Sequence, residues 1–403
     1  MTRQDELANL DALRRFYRAQ LLDDVTPFWL KHSLDREYGG YLTTLDRDGA
    51  PHGTGKYIWP QARGAYLFAK LYNEVEPREE YLEAARLGIE FLDKHAVRDN
   101  RAFYKCTRDG RPLYARSGEI FVESFAVIAY AHYARAARDE RCMDKARSLF
   151  ASILERMDSG ELDAHLETKL YQEHAPGMIM INCAQELRAV NPNPTYTERI
   201  AQWVEKELFT FGNAEHRALF ERVGLDGSPV LSEPEGRTIT PGHGMESAWF
   251  CLEEGLAQHD QRIIDRAVDV IRWTIERGWD AECGGVVNYI DLFGKPPGHH
   301  DEDWGEHQDW DEKIFWPHAE SLYALLLAYL TTGDEALWDW YVKVHEWTFD
   351  HFPDPEYGEW FGYLRRDGSI SQTQKGCTKG FFHVPRALLK CMQALERHND
   401  KEN

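Results

Sequence analysis

The chain has 403 residues, room for two or three average domains or for one large repeat-built domain. At that length roughly three quarters of the unfolded surface is buried on folding, so no disulfide or metal staple is needed. Its 47 Lys and Arg against 68 Asp and Glu leave a formal charge of −21, which opposes attraction to phosphate backbones and anionic lipid and argues against nucleic acid and membrane as partners.

At 13% aromatic the chain holds more flat rings than a bare core requires, and such rings line deep pockets and stack on sugars. Seven cysteines are scattered with no C-x-x-C among them, which reads as free thiols in a reducing compartment. MTRQDELANL lacks the apolar stretch of a secretory signal, and the uncharged run 321–333 falls well short of the ~18 to 20 residues of a bilayer span. The expectation is a cytoplasmic protein, with a homodimer allowed.

Taken in chain order, a helical pattern from about Glu6 to His32 leads into YGGYLTTLDRDGAP, a period-2 run that ends in an Asp-Gly turn. The same signal returns in FYKCTRDGRP, LFERVGLDGSP, GGVVNYIDLFGKPP and WFGYLRRDGSIS, with turn glycines at Gly49, Gly110, Gly227, Gly294 and Gly368. The long interval after Gly110 leaves room for a degenerate sixth member near Ser159-Gly160, so the chain reads as six units of about 60 residues.

Two helical patterns lie between consecutive turns, with apolar residues at i, i+3, i+4 and i+7, giving twelve in all. Thr195-x-x-Glu198 reads as a capping box, and Gly333 followed by Asp334 as a helix stop and the next start. In each pair the first helix is the more apolar: 58–74, 118–138, 175–190, 243–259, 315–332 and 381–397. The expected fold is all-α, an (α/α)6 barrel of six inner and six outer helices with short β-hairpins at one end, in one domain spanning 1–403. An open helical solenoid is the alternative.

Ionisable residues crowd the first turns of the inner helices: Arg63, Glu123, Glu173 and His174, His243 and Glu246, His318 and Glu320, and His383 and Arg386. Singly, each histidine reads as a hydrogen-bonded structural residue; together they point into one cavity. His243 and Glu246 at i, i+3 share a helix face, so the carboxylate is placed to fix the imidazole tautomer. HExxH and Cys/His clusters are absent, and His299 and His300 read as a solvated loop, so no metal is expected. GAPHGTGKY has the wrong spacing for a phosphate loop and no G-x-G-x-x-G follows a strand, so no cofactor is expected either.

Histidines on opposite faces of a bound carbon suit removal of a proton from one side and its return from the other. C2 of an open-chain aldose is such a carbon, and Arg63 is the fixed positive charge for the enediolate oxygen.

KYIWPQAR, ITPGHGMESAWF, KIFWPHAESLYALL, EWFGYLRRDG and KGCTKGFFHVPRAL, which together span about Lys56 to Cys391, resemble the N-acylglucosamine 2-epimerase family. The resemblance implies an (α/α)6 barrel that interconverts 2-epimers of aldoses. It implies His243 and His383 as the acid/base pair, Arg63 as an oxyanion contact and Glu320 as a carboxylate of the catalytic site. Glu246 would orient His243, and His318 would assist ring opening or bind a hydroxyl. Glu246, His318, Glu123, His174, Tyr57, Trp59, Trp316 and Arg386 are the expected substrate contacts.

The leading function is a cofactor-free epimerase of a neutral sugar, of the N-acylglucosamine/N-acylmannosamine or glucose/mannose type. Its nearest rival is an aldose-ketose isomerase, which reprotonates the same enediolate at C1. A six-hairpin glycoside hydrolase needs two opposed carboxylates, which Glu123, Glu246 and Glu320 keep open, and a non-enzymatic binding protein leaves the histidines unexplained.

Overall fold

The computed structural model describes residues 9–113, 120–161, 170–294, 310–375 and 379–402. Helix α1 passes through Leu10–Ala19, a π-helical stretch Gln20–Val25 and Thr26–His32. Then come α2 (Ile58–Glu74), α3 (Glu79–Phe91), α4 (Ile120–Ala137) and α5 (Glu140–Ser159). The second half continues with α6 (Ala175–Val190), α7 (Pro194–Lys206), α8 (Pro241–Gln258) and α9 (Gln261–Gly278). It ends with α10 (Phe315–Thr332), α11 (Glu335–His351) and α12 (His383–Glu402).

The two kinds of helix differ as their sequences require. In α4 every residue from Val122 to Ala134 is buried, and in α10 every residue from Pro317 to Ala328. Such all-round burial needs neighbours on every side. By contrast α5 buries one stripe, among it Met143, Ala146, Phe150 and Ile153. The even-numbered helices therefore form an inner ring, packed in the order α2, α4, α6, α8, α10, α12. The ring closes where Gln393 of α12 donates to Glu74 of α2 at 3.1 Å and Phe381 stacks on Phe68 at 4.5 Å. Closure makes the fold an (α/α)6 barrel and rules out the open solenoid.

All five expected turns are present. At each, the glycine N–H donates to the carbonyl three residues back, at 2.8–3.0 Å, with φ between +74° and +88°, a conformation that costs a side chain but not a glycine. The strands interlock between units. Lys56–Tyr57, which leads into α2, pairs with Lys105–Cys106 of the next hairpin. Tyr171–Glu173 pairs with Arg222–Gly224, Thr238–Ile239 with Ile290–Asp291, and Lys313–Ile314 with Tyr363–Leu364.

A buried ion lattice repeats with them. Asp35 accepts from Lys56 at 2.9 Å and from Arg108 at 2.9 Å, and Asp280 from Lys313 at 3.0 Å and Arg366 at 2.7 Å. Asp354 accepts from Lys375 at 3.0 Å and from Arg47 at 2.8 Å, which ties the last unit to the first.

Two local expectations are corrected. Gly160 is the left-handed cap of α5, its N–H donating back to Arg156 and Met157, so Ser159-Gly160 is a helix end and not a sixth hairpin turn; 162–169 lie outside the described residues. Asn193, not Thr195, caps α7, because Pro194 fills the first helical position and the Asn193 side chain takes the Thr195 N–H at 3.0 Å. Gly333 and Asp334 do end α10 and cap α11. Among the described residues no helix is long and apolar enough to cross a membrane.

Candidate active site

The inner helices bring their N-terminal turns together at one end of the barrel. Ring contacts trace the arc: His174 ahead of α6 lies 5.5 Å from His243 of α8, His243 lies 5.2 Å from Trp316 of α10, and Trp316 lies 5.7 Å from His383 of α12. Arg63 of α2 completes it, its guanidinium 4.1 Å from the Phe125 ring and 4.4 Å from the Phe382 ring.

His383 is buried, with Nδ1 2.7 Å from Oε1 of Glu320. The same oxygen takes Arg386 Nη2 at 2.7 Å, and the other takes the Trp249 indole N–H at 2.8 Å. A carboxylate so placed keeps the proton on Nδ1. Nε2 then carries the lone pair, and it has no hydrogen bond among the described residues. Burial and then the charge of Arg63 hold the His383 pKa well below the usual imidazole value, so the ring is neutral at pH 7.

His243 is built the same way on a different carboxylate. Its Nδ1 lies 3.2 and 3.1 Å from the two oxygens of Glu221, Nε2 is unbonded among the described residues, and the side chain is 30% exposed. The expected partner, Glu246, instead pairs with Arg386, whose Nη2 bridges Glu246 and Glu320. Glu246 sits one turn deeper in the barrel than His243, where α12 presents its guanidinium. Sequence reasoning missed Glu221. It lies in the bend between the short strands Ala218–Leu219 and Arg222–Gly224, and a lone acid between the buried Phe220 and Val223 was the available signal.

Arg63 makes no ion pair among the described residues, and its Nε is buried without a hydrogen-bond partner. Desolvation between the two rings lowers its pKa to about 9, still cationic at neutral pH. It is thus a positive charge with no direct ion pair among the described residues, within reach of the Glu246 and Glu320 charges.

Other expected contacts lie elsewhere. His318 gives Nδ1–H to Ile314 O at 2.8 Å, takes the Val286 N–H on Nε2 at 2.9 Å and stacks on Trp347. Both nitrogens are spent on backbone, and burial drops its pKa to about 3, which corrects its expected role in ring opening or hydroxyl binding. Glu123 is corrected likewise: Arg156 takes one oxygen, and the Ala102 N–H reaches the other at 3.1 Å. His174 is fully buried with both nitrogens on carboxylates, Glu207 at 3.2 Å and Glu221 at 3.1 Å, so it meets no substrate. Glu173 pairs with Arg222 at 3.0 Å. Tyr57 and Trp59 pack with Tyr104 into an aromatic cluster at the start of α2. His299 and His300 lie outside the described residues.

Two groups, His174/Glu221/His243 and Glu246/Glu320/His383, place ligand-type atoms within 4.8 Å of one another. Their carboxylates already accept from cations of the chain, His174 in one and Arg386 in the other, so a metal ion would have to displace them.

Residues 39–387 match the family model described as N-acylglucosamine 2-epimerase. The chain is 34% identical to the N-acylglucosamine 2-epimerase of Bos taurus over 94% of its own length and 90% of the relative's. The cellobiose 2-epimerase of Spirochaeta thermophila superposes with a TM-score of 0.80 at 23% identity, covering 97% of this chain and 98% of the other. A D-mannose isomerase superposes at 0.78 and 18%, covering 94% and 97%.

Proposed function

We infer that this chain, which belongs to the N-acylglucosamine 2-epimerase family, inverts C2 of a neutral reducing sugar through an enediolate. One observation carries the mechanism: two imidazoles on different inner helices contact the same indole, and each has Nδ1 held by a carboxylate and Nε2 open.

The C2 proton of an open-chain aldose is acidified by the C1 carbonyl. One Nε2 removes it, the negative charge moves onto the carbonyl oxygen, and Arg63 lies at hand as the unpaired cation for that charge. A proton from the second imidazole then adds to the opposite face of C2, which inverts the centre and restores the aldehyde. Burial and the Arg63 charge favour the neutral form of His383, which suits it to the part of base. Glu320 and Glu221 hold the two tautomers, and Trp316, in contact with both rings, gives a flat surface for the sugar.

The N-acylglucosamine type is favoured among substrates by identity to relatives of that name, and the charge of −21 disfavours sugar phosphates. The hydrolase reading loses support because Glu246 and Glu320 share one guanidinium and Glu123 is tied to Arg156. We further take the chain to act as one domain, 1–403, in a reducing cytoplasm, supported by six free cysteines among the described residues. Sedimentation at micromolar concentration tests whether it is a homodimer.

Incubation in D₂O with N-acetylglucosamine, N-acetylmannosamine, glucose, mannose and cellobiose, followed by NMR, tests the reading. The expected result is a 2-epimer with deuterium at C2. A ketose labelled at C1 would replace the epimerase by an isomerase. His243→Ala and His383→Ala are each expected to lower turnover by roughly 10²- to 10⁴-fold in folded protein. Near-full activity in either overturns the two-base assignment.

A further inference from the structure

Behind His243 the charged groups continue in a line. Glu221 contacts His243 Nδ1 with both oxygens, and its Oε2 also lies 3.1 Å from His174 Nε2. His174 Nδ1 lies 3.2 Å from Glu207 Oε2. A neutral imidazole has one N–H, so with both carboxyls ionised only the doubly protonated ring satisfies the two contacts; burial raises the Glu207 pKa, and the bond to His174 and its charge oppose that rise. The line runs Glu207, His174 as a cation, Glu221 and then His243.

We propose that His174 and Glu207 are positioning residues of the reaction: the buried cation offsets the charge of Glu221, so that His243 both takes up and gives back a proton at neutral pH. The proposal rests on the epimerase reading. His243 must act as base in one direction and as acid in the other. A bare carboxylate against Nδ1 would fix its tautomer but also hold the ring protonated. His174 leaves the tautomer fixed and weakens that pull.

The surroundings agree. Burial opposes charge on His174, but Glu221 and then Glu207 outweigh it and raise its pKa to about 10, while Glu221 stays well below the usual carboxylate range. The other groups near the line are Ser247 Oγ, 3.5 Å from His174 Nδ1, and Tyr289, whose phenol is acted on by the Glu221 charge. Lys206 and Cys251 lie near Glu207, and His383, which contacts the same Trp316 ring as His243, is acted on by the His243 charge. Oε1 of Glu207 is buried without a hydrogen bond, so the line ends there with no further partner to hold His174 charged.

The test follows His243 in substrate-free enzyme by NMR of ¹⁵N-labelled imidazoles and, separately, the pH profile of kcat. Glu207→Gln removes the anion that keeps His174 charged. Its expected effect is to raise the His243 midpoint by about one pH unit, move the acid limb of kcat upward with it and cost roughly tenfold in kcat at pH 7, with KM little changed. His174→Gln is expected to do the same, Glu207→Asp to restore wild-type behaviour, and Glu221→Gln to move the midpoint down.

A His243 midpoint unmoved in both Glu207→Gln and His174→Gln would overturn the proposal, as would failure of both variants to fold. Should the wild type epimerise no sugar, the functional reading fails while the NMR midpoints still decide the role of the line.

Discussion

Six histidines illustrate how one side chain does different work according to what meets its two nitrogens. His243 and His383 each spend Nδ1 on a carboxylate and keep Nε2 open, His174 spends both on carboxylates, and His318 spends both on backbone. His32 and His95 support turns, under Gly49 and Gly110, where an added Cβ would stand 2.3 and 2.1 Å from the ring. The His318 arrangement needs the neutral ring, and its value near 3 lies below that of an unfolded histidine, about 6.5. Between those values the unfolded chain binds the extra proton, so stability drops as pH falls from 6.5 toward 3. His318→Gln is expected to cost about 2 kcal/mol at pH 7, to flatten that slope, and to leave kcat per folded molecule unchanged, as thermal melts and active-site titration would show. The sequence could place all of these rings near helix starts or ends. It could not say which carboxylate would meet which nitrogen, because Glu221 and Glu320 arrive from residues 22 and 63 positions away.

Elements carry the next level of precision, through the first turn of α8. Pro241 opens the helix, Gly242 follows, and His243 comes third, so the imidazole leaves the helix where it faces α10. A Cβ on Gly242 would stand 2.3 Å from the Trp316 ring. Gly242→Ala is therefore expected to push the indole away from its contacts with His243 and His383 and to lower kcat by roughly tenfold or more, with the helical circular dichroism intact. Retained activity would show that Trp316 does not set the spacing of the two bases. At this scale the sequence was informative: period and turn chemistry gave the twelve helices and five glycine turns. What it concealed was the pairing of the strands that lead into the inner helices with the next unit, and the first-turn packing of α8 on α10, both of which depend on neighbours distant in the chain.

At the scale of the whole molecule, a ring must join its last unit to its first, and here a buried aspartate does much of that. Asp354 and Lys375 are fully buried, and Arg47 reaches Asp354 from the first hairpin. Asp35 and Asp280 hold equivalent lysines and arginines within the ring, so the three sites are a controlled comparison. Burial opposes all three carboxylates, but the Arg and Lys hydrogen bonds prevail: Asp35 is lowered to about 2, and Asp280 and Asp354 lie lower still. A depressed carboxylate contributes stability that is present above the unfolded value near 4 and is lost as pH falls through the folded value. Melting temperature is thus expected to fall steeply below pH 4. Asp354→Asn leaves Lys375 a buried charge without its anion, and breaking such a pair costs about 3–5 kcal/mol. Asp35→Asn costs about as much by the same argument, yet its site joins neighbouring units and not the two ends of the chain. Hydrogen exchange separates the two: Asp354→Asn is expected to speed exchange in α1, the first hairpin and α12 together, while Asp35→Asn leaves α12 protected. Equal protection of α12 in both would mean that inner-helix packing, such as Phe381 on Phe68, closes the barrel without the latch.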